Sequence, residues 1–148
     1  PPPIGAIVQD RLFDDHLTIL AGNHHPLVGQ DDVPREVLRA SSWVVPREGT
    51  PAREQFDAFF AGDGPPDSII EAGSILLMRE ILGNSDHLGC ISSAQAQAEL
   101  SKGLVSEIAV KADWPGRPIG LTCRASWAPT TAQKLLLDLL REGMEAAP

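Results

Sequence analysis

The 148-residue sequence has no tyrosine, and four phenylalanines and three tryptophans bring aromatics to only 5%. Composition therefore gives no sign of an aromatic ligand. Basic residues are scarce too: 12 Lys and Arg stand against 20 Asp and Glu, a formal net charge of −8. Phosphate contacts need clustered cations, so this segment is not expected to hold nucleic acid itself, and if DNA is involved another segment touches it. Cysteine is limited to Cys90 and Cys123, each within an apolar run. That usage suits buried thiols in a reducing compartment, the cytoplasm, better than a disulfide scaffold. No apolar stretch approaches the roughly 20 residues needed to cross a bilayer, and no charged-then-apolar leader follows Pro1-Pro2-Pro3. The Pro-rich opening without Met reads as the interior of a longer protein. Part of any binding site is then expected outside this chain.

Several catalytic signatures are missing as well. No Gly-rich phosphate fingerprint follows a strand, so no nucleotide cofactor is expected, and no Gly-x-Ser-x-Gly elbow is present. Cys90 or Ser92 with nearby His87 is the remaining nucleophile option, but Cys90 lies inside a buried strand pattern and His87 precedes that strand rather than facing it. His24-His25 beside Asp31-Asp32, and Asp14-Asp15-His16, invite a metal reading. Adjacent histidines diverge, and no second histidine stands at a zinc-site spacing, so solvated loop charge is the better reading.

What is present is an alternation of strand and helix. Leu17–Ala21 reads as a buried strand, the stretch from Gly22 to Val33 as a loop, and Pro34 to Leu38 as a short helical turn. Trp43–Val45 is the next strand, after which Thr50 is placed to cap a helix with Pro51 at its first position. Ala52, Phe56, Phe59 and Phe60 share one face of it, and it stops in Gly62-Asp63-Gly64-Pro65-Pro66. Ser68–Ala72 is a strand, and Ser74 caps a helix over Ile75–Leu82 so apolar that cover on two sides is expected. Leu88–Ile91 is a strand, with Ser92-Ser93-Ala94-Gln95 resembling a capping box for a helix to Ser101. Strands at Val105–Val110 and Pro118–Thr122 flank a turn at Asp113–Gly116. Thr130 and Gln133 open a last helix with an apolar stripe of Ala132, Leu135, Leu136, Leu139 and Leu140. This order predicts a mostly parallel sheet with helices on both faces, and ligands at the carboxyl ends of strands.

Three strand-to-helix turns carry hydroxyls at a helix start: Arg47 to Thr50, Gly73-Ser74 and Ser92-Ser93. Free N–H groups and the positive dipole end make each a candidate site for an anion or a hydroxyl, with Arg47 a possible bidentate partner for a carboxylate. Plain helix capping accounts for each turn on its own. Their convergence in one fold is what would make a site.

In order along the chain stand Leu12–Ala21 with His25-Pro26-Leu27, Trp43-Val44-Val45-Pro46 with Gly49-Thr50-Pro51-Ala52-Arg53, Ile70-Glu71-Ala72-Gly73-Ser74, Ser85-Asp86, and Leu88-Gly89-Cys90-Ile91-Ser92. Gly103-Leu104-Val105, Gly116–Thr122 and the helix after Thr130 complete the series. Together these resemble the effector-sensing region of LysR-type transcriptional regulators over nearly the whole chain. Arg117-Pro118-Ile119-Gly120-Leu121 with Trp127-Ala128-Pro129-Thr130 is similar to the branch controlling sugar or aromatic-acid catabolism.

The resemblance implies an α/β, Rossmann-like and periplasmic-binding-protein-like effector domain whose second subdomain is complete and whose first is partial. Residues 1–23 would be a remnant of the first subdomain and a crossover, 24–113 the second subdomain, and 114–148 the return crossover and closing helix. A small inducer, a sugar or an organic or aromatic acid, would sit between the subdomains, walled here by Arg47, Gly49, Thr50 and Pro51 with Ser74 and Ser92 as neighbours. Many relatives carry Pro where this chain has Ser92. DNA would be contacted only through a winged helix-turn-helix N-terminal to this chain, with no cofactor and no enzymatic activity. The family forms homodimers or homotetramers, packing the helix that corresponds to Ser74–Leu82 against a partner. Exposed apolar surface is then expected on that helix and on the last one. The alternatives are a transporter's solute-binding protein, which shares the architecture, and a small α/β hydrolase or transferase using Cys90 or Ser92.

Overall fold

The computed structural model describes residues 6–111 and 116–145. In chain order the elements are β1 (Ile7–Asp15), β2 (Leu17–Ala21), α1 (Arg35–Ala40), β3 (Ser42–Val45), α2 (Pro51–Phe60) and β4 (Ser68–Glu71). They continue with α3 (Ile75–Gly83), β5 (His87–Ser92), α4 (Ser93–Ser101), β6 (Ser106–Glu107), β7 (Arg117–Arg124) and α5 (Thr131–Glu145). The chain divides into two compact units, Pro1–Asp15 with Gly116–Pro148, and His16–Pro115.

The larger unit is built on a five-stranded sheet in the order β4-β3-β5-β2-β6. Strands β4, β3 and β5 run parallel, whereas β2 is antiparallel to both β5 and β6. The sheet is therefore mixed rather than mostly parallel, with β2 reversed against its two neighbours. Successive side chains alternate between faces. Leu17, Ile19, Trp43, Val45, Leu88 and Cys90 meet Leu38 of α1 and Phe56 and Phe60 of α2 on one face. Leu20, Val44 and Ile91 meet Met78 and Leu82 of α3 and Ala96 of α4 on the other. Strands covered on both faces are continuous apolar runs, which is why β2, β3 and β5 stand out in the sequence.

Trp43 is the hub of the first core. Its ring meets Phe56 and Phe60 edge-on at centroid distances of 5.0 and 5.7 Å, and its Nε1–H donates to the Leu38 carbonyl at 2.8 Å. The indole thereby fastens α1 and α2 to the sheet while satisfying its only polar atom. Each such buried Phe or Leu side chain contributes about 1.5–3 kcal/mol.

Helix α3 is covered on one side only and carries the exposed apolar surface that the resemblance implies for it. Met78 and Leu82 are buried against the sheet, but Leu76 and Leu77 are 61% and 50% exposed. Among the described residues no element of this unit covers that outer side. Ile70 on the sheet-edge strand β4 is exposed too. Strand β6 is shorter than the expected Val105–Val110. Ile108 N–H still donates to the Ile19 carbonyl at 2.9 Å, but the Ala109 carbonyl is taken by Val33 N–H at 2.9 Å, which draws the chain off β2.

The smaller unit is an antiparallel ribbon of β1 and β7, registered from Ile7 opposite Arg124 to Asp15 opposite Arg117, with an irregularity between Arg11 and Phe13. Strand β1 was not foreseen as a separate element, and β7 outruns the expected Pro118–Thr122 at both ends. Buried Asp15 pairs with Arg117 at 3.2 Å. Helix α5 opens with a reciprocal capping box: Gln133 N–H donates to Thr130 Oγ1 at 3.4 Å and Thr130 N–H to Gln133 Oε1 at 2.9 Å. Arg141 ties α5 to β1 through Asp10 at 2.8 Å. Among the described residues of this unit the leucine stripe is left largely uncovered, with Leu135 and Leu136 60% and 57% exposed. Of the expected turn at Asp113–Gly116, residues 113–115 lie outside the described residues. The break between units falls at Asp15/His16, ahead of residue 23, because β2 hydrogen-bonds along its whole length to β5.

Candidate functional site

Because β3, β4 and β5 are parallel neighbours, the turns leaving their carboxyl ends emerge at one edge of the sheet. These are the three turns that carry the sequence-predicted site residues. Gly49 has φ +77°, a left-handed conformation that favours glycine, and it sets the bend into α2. Thr50 Oγ1 donates to the Arg47 carbonyl at 2.8 Å and accepts from Arg53 N–H at 3.3 Å, with Pro51 as the first helical residue. Ser74 Oγ accepts from Leu77 N–H at 3.4 Å and Ser92 Oγ from Gln95 N–H at 3.4 Å. All three hydroxyls therefore act as helix caps. Capping satisfies only part of a helix start, and further first-turn N–H groups of α2 and α3 are presented at the same edge, whereas in α4 the Ser93 N–H is already taken by the His16 carbonyl.

The structure also joins two of these turns directly. The Arg47 side chain lies over Gly73: a Cβ added there would stand 2.7 Å from Nε and 3.0 Å from Cζ. Only glycine leaves that passage open, so the Arg47 guanidinium rests on the turn that opens α3. Ser92 sits on the other side of β3, at the end of β5, and is buried.

Arg53 is a residue the sequence reading did not single out. It reaches Asp57 at 2.9 Å, Glu71 at 2.6 Å and the Pro46 carbonyl at 3.4 Å, with a side chain only 15% exposed. The hydrogen bond to Asp57, and after it that to Glu71, raises its pKa above the usual guanidinium value. Arg53 braces the β3–α2 turn against the end of β4 and is fully engaged in doing so. The spacing to Asp57 is legible as a helical i,i+4 pair; Glu71 becomes a partner only through the β3/β4 register.

The reversal of β2 brings further residues to this edge. Leu17 pairs with Ser92, the His16 carbonyl accepts from Ser93 N–H at 2.8 Å, and His16 Nδ1 lies 3.4 Å from Ser93 Oγ. Beside them, Thr18 Oγ1 donates to the Glu107 carboxylate across β2 and β6. Where the chain after β6 leaves β2, a groove of about 490 Å³ opens, lined by His16, Thr18, Ile19, Glu107, Ile108 and Val110 among others. Its size suits a small metabolite.

The other sequence candidates are placed away from this chemistry. Cys90 is fully buried in the first core, and burial pushes its thiol pKa up, which disfavours the thiolate a nucleophile needs. His24 and His25 diverge: His25 is buried, accepting from Leu27 N–H at 3.1 Å with Nε2 3.2 Å from the Asp86 carbonyl, while His24 is half-exposed. Among the described residues no three His, Cys, Asp or Glu side chains gather in a metal-holding group, and no helix is long and apolar enough to cross a membrane.

A mixed sheet clad by helices on both faces, with helix N-termini at one edge, defines an α/β domain of the periplasmic-binding-protein type. The fold is shared with the regulatory domain of Synechocystis CcmR in complex with 2-PG, at TM-score 0.78 and 17% identity, covering all of this chain and 72% of that one. It is shared too with the effector-binding domain of QuiR in complex with shikimate, at TM-score 0.71 and 16% identity, covering 94% and 66%. Residues 1–145 match the family described as LysR substrate binding domain, and the chain belongs to it. In sequence it is similar to the HTH-type transcriptional regulator GalR of Pseudomonas putida, 29% identical over 138 residues. That match covers 92% of this chain and 34% of the relative, so the chain spans about a third of its relative's length. The family consists of domains of transcription regulators rather than enzymes.

Proposed function

We propose that this chain is the inducer-sensing part of a LysR-type, DNA-binding transcription regulator of the cytoplasm. A small metabolite, a sugar or an organic or aromatic acid, binds at the sheet edge where α2, α3 and α4 begin. Its wall comprises Arg47, Gly49, Thr50 and Pro51, with Ser74 and Ser92 alongside. The observation that carries this reading is the convergence of three helix starts at one edge with the Arg47 guanidinium laid across Gly73. Oriented N–H groups and the Arg47 guanidinium form a set of donors for a hydroxyl or carboxylate.

In this reading residues 24–113 are the second effector subdomain, while 1–23 and 114–148 are the crossovers and the part of the first subdomain present. Differential affinity of the metabolite for two arrangements of the subdomains shifts a homodimer or homotetramer and repositions DNA-binding helices N-terminal to this chain. The exposed Leu76 and Leu77 of α3 support a partner subunit there. Replacing Arg47 or Thr50 with Ala in the full-length regulator is expected to weaken the inducer response while leaving basal operator binding intact. An unchanged inducer response in both variants would remove the assignment.

A further inference from the structure

We infer that the groove between β2 and the chain after β6 reads hydroxyl groups, so that the ligand is polyhydroxylated and offers hydroxyl donors to the Glu107 carboxylate. The inference rests on the proposal that this domain binds a small effector, and it chooses among the ligand classes left open there. Glu107 is exposed at the groove, and Thr18 Oγ1 donates to one of its oxygens. A carboxylate accepts several hydrogen bonds and donates none, so the acceptor capacity that Thr18 leaves is met by a ligand that donates. Among the described residues the lining contains no Lys or Arg. The cation nearest in sequence, Lys111, is engaged by Asp32 at 2.8 Å. Arg47 leaves β3, three strands from β6, which at the spacing of paired strands is about 14 Å away. A carboxylate in the groove would thus face Glu107 with no compensating charge, which disfavours it. His16 at the rim, able to donate or accept, and the apolar floor of Ile19, Ile108 and Val110 complete a surface for a ring bearing hydroxyls. Thr18 is a positioning residue: buried in the sheet, it holds the Glu107 carboxylate by donating to it.

The test is calorimetric titration of the full-length regulator with myo-inositol and galactose, against benzoate, succinate and cyclohexanecarboxylate. The last is a six-membered ring without hydroxyls. At least one polyhydroxylated probe is expected to bind and the hydroxyl-free acids at least tenfold more weakly. Glu107→Gln should weaken the bound probe at least tenfold and Thr18→Val severalfold, with unfolding temperatures near that of the parent. Binding of the hydroxyl-free acids with Glu107→Gln without effect overturns the hydroxyl reading and leaves the effector reading standing. Binding of no probe counts against both.

Discussion

Gly73→Ala separates the stability of this domain from its proposed recognition chemistry. The backbone at Gly73 is not in the left-handed region, so alanine is conformationally acceptable. Its Cβ would stand 2.7 Å from Arg47 Nε, 3.0 Å from Cζ and 3.3 Å from Cδ, and the Arg47 side chain must leave. Arg47 is exposed, and the clash falls on the far part of a flexible chain. The stability cost is therefore within about 0.5 kcal/mol, as for ordinary surface substitutions, and the midpoint of thermal unfolding should move by roughly 2 °C or less. Recognition should suffer more. A charge-assisted hydrogen bond contributes about 1.5–3 kcal/mol, which corresponds to roughly 10- to 100-fold in inducer affinity. The assay is inducer titration of the full-length regulator by its operator-binding response, with thermal unfolding in parallel and Gly73→Ala repeated in an Arg47→Ala background. If the effect runs through Arg47, the second substitution adds nothing to the first. A full inducer response in Gly73→Ala, or an undiminished additional loss in the Arg47→Ala background, would refute the reasoning.

Trp43→Ala removes the indole that Phe56 and Phe60 pack against and should destabilise the domain by about 3–5 kcal/mol in chemical denaturation; a loss below about 1 kcal/mol would contradict Trp43 as the hub. Cys90, buried with its thiol pKa raised, should react with a thiol reagent at neutral pH only as fast as the protein unfolds, after half-buried Cys123. Rapid native-state labelling of Cys90 would reopen a nucleophilic role. The Lys111 hydrogen bond lowers the Asp32 pKa, and Asp32 raises that of Lys111. A depressed carboxyl stabilises above its unfolded pKa and loses that contribution as pH falls through the folded value. A raised amine stabilises below its unfolded pKa and loses the contribution as pH rises through the folded one. The pair should therefore contribute evenly between about pH 4 and 10 and fade at both extremes, less so in high salt because it is exposed. Asp32→Asn, whose side chain tolerates the φ of +55° at this position, should remove the acid-side part of that dependence in denaturation curves measured from pH 2 to 5.

Much of the larger unit was legible because its elements are locally overdetermined. Thr50-Pro51 marks a helix start, Phe56 and Phe60 recur at helical spacing, and the runs in β2, β3 and β5 are apolar because both faces are covered. Strand β1 was not, since it pairs with β7, more than a hundred residues away, and charged residues interrupt its apolar pattern. The three turns could be read as caps from their residue types alone. Their meeting at one edge depends on the parallel order β4-β3-β5, which no local pattern specifies. Direction was the larger gap. Only the antiparallel pairing of Leu17 with Ser92 and of Leu20 with Glu107 brings His16, Thr18 and Glu107 to the recognition edge. Glu71 as a partner of Arg53 was hidden for the same reason, a register between strands rather than a spacing along the chain.

Amide hydrogen exchange of the full-length regulator, with and without its inducing metabolite, tests the proposed site most directly. Saturating inducer should protect the amides of residues 47–54, 73–77 and 92–95, the three turns and the first turns of α2, α3 and α4. Protection that leaves all three segments unchanged while the regulator still responds to inducer would contradict recognition at this sheet edge.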